Sequence, residues 1–194
     1  MPYQYSSDPD FTLEKQNSIV EGYNRLVEEK MKEGWNASLV TFMFGPLFGS
    51  HTSIVERMKK SIVELYSRFL TRVVRRPNAK CNKPILICMA DRPVPKFRKT
   101  SIRAAVVNGG IHCHGILLIP PKSRLKTTVR EHFLENERIY LMNSIDHIDV
   151  EPIVTQSAEK VTDYVFKSWR RGLSYNQHVL ILPKVFSELS TKTR

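Results

Sequence analysis

The stretch "GGIHCHGILLIP", residues 109–120, constrains this chain more than any other. An apolar run bounded by a glycine pair and a proline reads as a buried β-strand. Side chains alternate faces along a strand, so His112 and His114 share one side while Cys113, Gly115 and Leu117 take the other. Two neutral imidazoles side by side at the head of a buried strand are either a costly accident or half of a metal site.

The flanking pattern sets the architecture. Apolar residues at helical spacing predict a helix over 13–31, closed by Gly34. "SLVTFMF" (38–44) and "PILICMA" (84–90) predict buried strands. Ser53 with Glu56 predicts a capping box, opening a long helix from Ile54 to Val73. Asn108-Gly109 is a tight-turn signal, which makes the histidine strand one arm of a hairpin with "SIRAAVV" (101–107) as the other. A helix is expected over 127–138, a strand over 144–153, and a last helix in "SAEKVTDYVFKSWRRG", stopped by Gly172. The order after the first helix is β-α-β-β-α-β-α. It predicts an α+β fold, a ferredoxin/RRM-like βαββαβ antiparallel sheet with helices on one face and the site on the open face.

Charge is the next informative feature. The net charge of +11 is concentrated between Arg57 and Arg103, where fourteen Lys and Arg face only Glu64 and Asp91. A near-neutral body with one basic region points to a polyanion, nucleic acid first. Within that region "RPVPKFRK" adds an exposed basic loop, and Lys96, Arg98, Lys99 and Arg103 are expected to contact a nucleic-acid backbone. No apolar run is long enough to span a bilayer, and "MPYQYSSDPD" is no signal peptide. Three cysteines without a CxxC pair predict a reducing, cytoplasmic setting without disulfides. His51, His132 and His178 stand alone and read as surface or helix-end residues.

The last helix carries a second pattern. At 100° per residue, Lys160, Tyr164, Lys167 and Arg171 fall within about 60° of arc, apart from the packing side that Ala158, Val161, Val165 and Trp169 supply. A phenol among three cations suits nucleophilic attack on a phosphodiester. By itself it also fits a surface tyrosine on a basic helix.

Together, His112-Cys113-His114 with "GILLIP" after it, and Tyr164-Val-Phe-Lys167 on the following helix, resemble the HUH endonucleases of the single-tyrosine, rolling-circle replication initiator (Rep) type. "LVTFMF" sits where that family has its first, apolar motif, and the likeness spans residues 38–172. The resemblance implies a helical extension at 1–36, a nuclease domain at 37–175 and a tail at 176–194 packing on it. It also implies nicking and strand transfer on single-stranded or hairpin DNA, as in rolling-circle replication initiation or related single-tyrosine transposition. In that role His112 and His114 hold Mn²⁺ or Mg²⁺. Tyr164 attacks to leave a 5′-phosphotyrosine, and Lys167 steadies the phosphate charge. Lys160 and Arg171 join the DNA contacts. No ATPase motif is present, so a separate helicase, from the host or the element, is an expected partner.

The third ligand departs from the family, because "SIRAAVV" carries no carboxylate. Asp91, at the end of the preceding strand, is the first choice, with His147, Asp149 or Glu151 as fallbacks. Two imidazoles and a carboxylate also fit iron, and zinc less well for want of a fourth ligand. The competing readings are a non-catalytic nucleic-acid-binding regulator on the same fold, and a structural protein whose histidines are satisfied inside the core.

Overall fold

The computed structural model describes residues 13–77, 83–91, 107–141, 144–154, 157–171 and 179–184. In chain order the elements are α1 (Leu13–Lys32), β1 (Asn36–Phe44), α2 (His51–Val73), β2 (Ile85–Asp91) and β3 (His112–Ile119). These are followed by α3 (Val129–Glu135), α4 (Glu137–Tyr140), β4 (Ile145–Pro152), α5 (Ala158–Val165), α6 (Lys167–Arg170) and β5 (Val179–Leu182). The five strands form one sheet in the order β4-β1-β3-β2-β5, and every neighbouring pair is antiparallel. This is an α+β fold compatible with a ferredoxin-like core, and its topology departs from that plan in two places.

The first departure is the sheet's coverage. The expected open face is covered. On one side α2, α3 and α4 close a core around Phe42, Met58, Ile62, Phe69, Leu117 and Tyr140. On the other, α1, α5 and α6 close a second core around Val27, Ile87, Met89, Ile116, Phe166 and Trp169. The cause is legible in β2 and β3: apart from Ile85 and His112 at their ends, every residue in both strands is buried. Strands that are apolar on both sides must be sandwiched. Edge strand β4 is different, with Asp146, His147, Asp149 and Glu151 all exposed.

The second departure is β5. Residues 179–182 lie within the segment expected to be a tail, yet they pair with Leu86–Met89 and extend the sheet by one strand. The apolar run Val179-Leu180-Ile181-Leu182 is only four residues long and has no period that would mark it as a strand.

Several local expectations are also redrawn. The cap of α2 is Ser50, whose hydroxyl accepts the Ser53 N–H at 3.3 Å, rather than the Ser53–Glu56 box. The 127–138 helix is two helices, and the true capping box belongs to Thr128 and Glu131. The last helix breaks at Phe166 (φ −94°, ψ 9°). At the predicted turn, Asn108 and Gly109 both adopt positive φ, 56° and 61°. Asn108 fastens this turn to the end of β1, accepting the Leu47 N–H at 2.7 Å and donating to the Gly45 carbonyl at 2.9 Å. The arm "SIRAAVV" lies outside the described residues up to Ala105-Val106; β3 itself runs between β1 and β2. Its Gly115 leaves no room for a side chain, since a Cβ there would sit 3.0 Å from Leu86 Cδ1 and 3.1 Å from the Ile87 carbonyl oxygen. That close seating of β3 on β2 brings Asp91 opposite His112 in register. Among the described residues no helix is long and apolar enough to cross a membrane.

Candidate metal centre

Asp91, His112 and His114 all point to the α5/α6 side of the sheet, because they share strand parity with Ile87, Met89 and Ile116. Their ligand atoms lie within 4.8 Å of one another. The two imidazole Nε2 atoms are 2.9 Å apart, and each is 3.4 Å from Asp91 Oδ2.

The backbone and a neighbouring strand fix the ring orientations. His112 Nδ1 faces the Gly110 carbonyl at 2.9 Å. A carbonyl only accepts, so this nitrogen carries the proton, which leaves Nε2 as the ligating atom of the neutral ring. His114 Nδ1 meets the Thr41 hydroxyl at 3.0 Å. That hydroxyl donates or accepts, so it supports His114 with the proton on either nitrogen. Thr41 stands opposite His114 in the β1–β3 register, which is why the contact forms.

Asp91 is 1 % exposed, and its two oxygens are divided. Ser168 Oγ donates to Oδ1. Lys167 Nζ lies 2.7 Å from Oδ2. Burial pushes the Asp91 carboxyl up, but hydrogen bonds from His114, Lys167 and Ser168 and the Lys167 charge outweigh it and hold the pKa at about 2. His114 is shifted down, chiefly by burial and with help from the His112 and Lys167 charges, while Asp91 opposes the shift. At neutral pH the cluster therefore offers an ionised carboxylate and a neutral His114, the forms that ligate a metal.

This donor set fits a divalent ion. Ligand atoms about 2.1 Å from a six-coordinate ion stand about 3.0 Å apart when adjacent, and about 3.4 Å apart around a tetrahedral one. The observed separations of 2.9 and 3.4 Å span those values. Two imidazole nitrogens and one carboxylate oxygen are a donor set that can hold a metal ion.

Tyr164 reaches the same place from α5. Its hydroxyl is 3.1 Å from His114 Nε2, and the residue is 40 % exposed. Lys167 Nζ sits over the Tyr164 ring, 3.9 Å from its centroid. The phenol, the lysine, both imidazoles and the carboxylate therefore form one continuous constellation drawn from β2, β3, α5 and α6 at the rim of the helical layer.

The other expected site residues fall elsewhere. His147, Asp149 and Glu151 are exposed on edge strand β4 and stand outside the ligand cluster; Glu151 pairs with Arg130 at 3.2 Å. Lys160 and Arg171 are both exposed, Lys160 on α5 with Tyr164 and Arg171 just past the end of α6, beyond the break at Phe166. Lys96, Arg98, Lys99 and Arg103 lie outside the described residues. His132 is buried rather than superficial, hydrogen-bonded to Tyr140 at 2.7 Å.

Three contributors escaped sequence reasoning. Thr41 had a signal, as the one hydroxyl inside the apolar run "LVTFMF". Ser168 had a weaker one, a small polar residue beside the buried Trp169 and two places after the buried Phe166. The Gly110 carbonyl had none, since its role depends on the turn.

No protein-family profile, curated protein or solved structure matches the chain. The class that fold and site define is thus an α+β protein with a His-Asp-His cluster able to hold a metal ion and a tyrosine beside it.

Proposed function

We propose that this protein is an HUH-type endonuclease of the single-tyrosine Rep kind. It nicks single-stranded or hairpin DNA and transfers the strand through a 5′-phosphotyrosine. The observation that carries the reading is the approach of Tyr164 Oη to His114 Nε2 at 3.1 Å, beside the Asp91-His112-His114 cluster. Fifty residues separate that tyrosine from that histidine in sequence. The sheet order β4-β1-β3-β2, with α2 and α3 on one side, supports the ferredoxin-like core that this family resemblance implies.

His112, His114 and Asp91 would hold Mn²⁺ or Mg²⁺. The ion, when bound, supplies Lewis-acid polarisation of a phosphate oxygen. The chain's own residues do the rest. Tyr164 Oη attacks phosphorus, the P–O3′ bond breaks, the phenol proton passes to solvent and the leaving 3′ oxygen takes one from solvent. Lys167 lies against the nucleophile's ring, where its charge offsets that gathering on the phosphate. One phosphodiester replaces another, so attack by a 3′-hydroxyl on the phosphotyrosine rejoins strands. Exposed Lys160 and Arg171 would serve as backbone contacts, with Lys96, Arg98, Lys99 and Arg103 as further candidates. A helicase would supply melted substrate.

The test is a denaturing gel of labelled single-stranded and hairpin DNA incubated with the protein and Mn²⁺. A covalent adduct is expected with Mn²⁺, and none with EDTA. Tyr164→Phe should abolish the adduct while retaining DNA binding. Adduct in Tyr164→Phe would place the nucleophile elsewhere. DNA binding with no cleavage of any substrate would favour the non-catalytic regulator.

A further inference from the structure

We propose that Lys167 is the resident counter-ion of Asp91 and competes with the divalent ion for Oδ2. Metal loading would then hand the lysine over from the carboxylate to the phosphate side of Tyr164. The proposal rests on the metal-site half of the functional reading and is independent of nicking.

Asp91 has one oxygen to give. Oδ1 is taken by Ser168. Oδ2 faces Lys167 Nζ at 2.7 Å and both imidazole Nε2 atoms at 3.4 Å. The same atom is therefore the lysine's partner and the third point of the ligand triangle. An ionised carboxylate this deeply buried requires a cation close by. Lysine meets that need with a compact charge on a flexible four-carbon stem, which gives it reach and lets it leave.

A divalent ion drawn to the triangle would meet an ammonium already seated on its oxygen ligand. Two cations at one buried oxygen repel each other strongly, so one arrangement displaces the other. The lysine has somewhere to go. Its ammonium already lies 3.9 Å from the Tyr164 ring centroid, and 24 % of its side chain is exposed. Rotation at the end of the stem keeps it on the aromatic face, where a cation is favoured, and turns it toward solvent. A phosphate approaching Tyr164 would then meet the metal and the freed ammonium together. In the metal-free site, by contrast, Asp91 and Lys167 neutralise each other, and neither charge is available to substrate. Metal loading thus switches on the site's attraction for a phosphodiester.

The experiment is calorimetric titration of the full chain with Mn²⁺, comparing the wild type with Lys167→Met. Removing a charge-assisted competitor should tighten Mn²⁺ binding by about tenfold or more. Equal or weaker binding by Lys167→Met would overturn the competition. A Mn²⁺-bound wild-type structure gives a second readout that needs no variant. Lys167 Nζ should have moved beyond hydrogen-bond distance of Asp91 Oδ2, and retention of that contact would equally overturn the proposal. Absence of Mn²⁺ binding in both proteins would remove the metal site and this inference together. Metal binding without any DNA adduct would remove only the nickase reading.

Discussion

Among the described residues, two histidine–tyrosine pairs lie on opposite sides of one sheet, and they have different ends. On the α2/α3/α4 side, His132 Nε2 meets Tyr140 Oη at 2.7 Å, walled in by Phe69 and Phe133. Tyr140 is wholly buried, and burial pushes its phenol up to about 12. On the α5/α6 side, His114 Nε2 meets Tyr164 Oη at 3.1 Å. There the same nitrogen also faces a second imidazole and a carboxylate, and the phenol is partly open to water. In the first pair the phenol and the facing imidazole nitrogen satisfy each other among aromatic rings, so the hydrogen bond is structural. In the second, potential ligand atoms of three residues lie within 4.8 Å of one another. The contrast teaches that burial of a histidine says little about its role; the number of acceptors aimed at one spot says much more.

The largest expected effects would come from exchanging truncations between the pairs. His114→Ala should weaken Mn²⁺ binding by more than about a hundredfold, since it removes a ligand outright, with the DNA adduct lost as well. His132→Ala should do the reverse. It should cost about 2–4 kcal/mol in urea unfolding by leaving a cavity and an unpaired buried phenol, while Mn²⁺ affinity stays within about twofold. Metal binding that depended on His132 as much as on His114 would break the distinction.

A smaller effect is expected at Thr41, which touches only the ring of a ligand. Thr41→Val keeps shape and removes the hydroxyl that orients His114, so Mn²⁺ affinity should fall by about tenfold. If the affinity were unchanged, the His114 ring would be held by packing alone.

The subtlest effect is in pH. His132 is shifted below its ordinary pKa, first by burial and then by the Arg72 charge, with Glu135 opposing. Its neutral form is therefore the one that folding favours. The associated stability is fully present above the unfolded value near 6.5 and is lost as pH falls toward the depressed folded value. Urea midpoints of the metal-free protein should decline from pH 7 to pH 5, and His132→Asn should flatten part of that slope. An identical slope in the variant would assign the decline to other groups.

Much of the site was legible without coordinates. Strand alternation put His112 and His114 on one side, and helical spacing put Tyr164 and Lys167 on one arc. Asp91 stands at a strand end in the sequence, and the register gives that place its meaning by setting it opposite His112. What was not legible shares a cause. Thr41, Ser168 and the Gly110 carbonyl act through partners at 3.0 Å or less that are distant in sequence or held by a turn. Local pattern carries no information about such partners.

The sequence by itself determined which residues alternate, where strands and helices begin and end to within a few positions, and which side chains carry ligating or nucleophilic atoms. These follow from short-range sterics and from the periods of helix and strand, which any stretch of chain obeys alone. Only the tertiary structure decided which helices cover each side of the sheet, that residues 179–182 complete its edge, and that Lys167 rests on Asp91 rather than in solvent. Those outcomes depend on which apolar surfaces find each other, and on a buried carboxylate's need for a cation, wherever in the chain that cation lies.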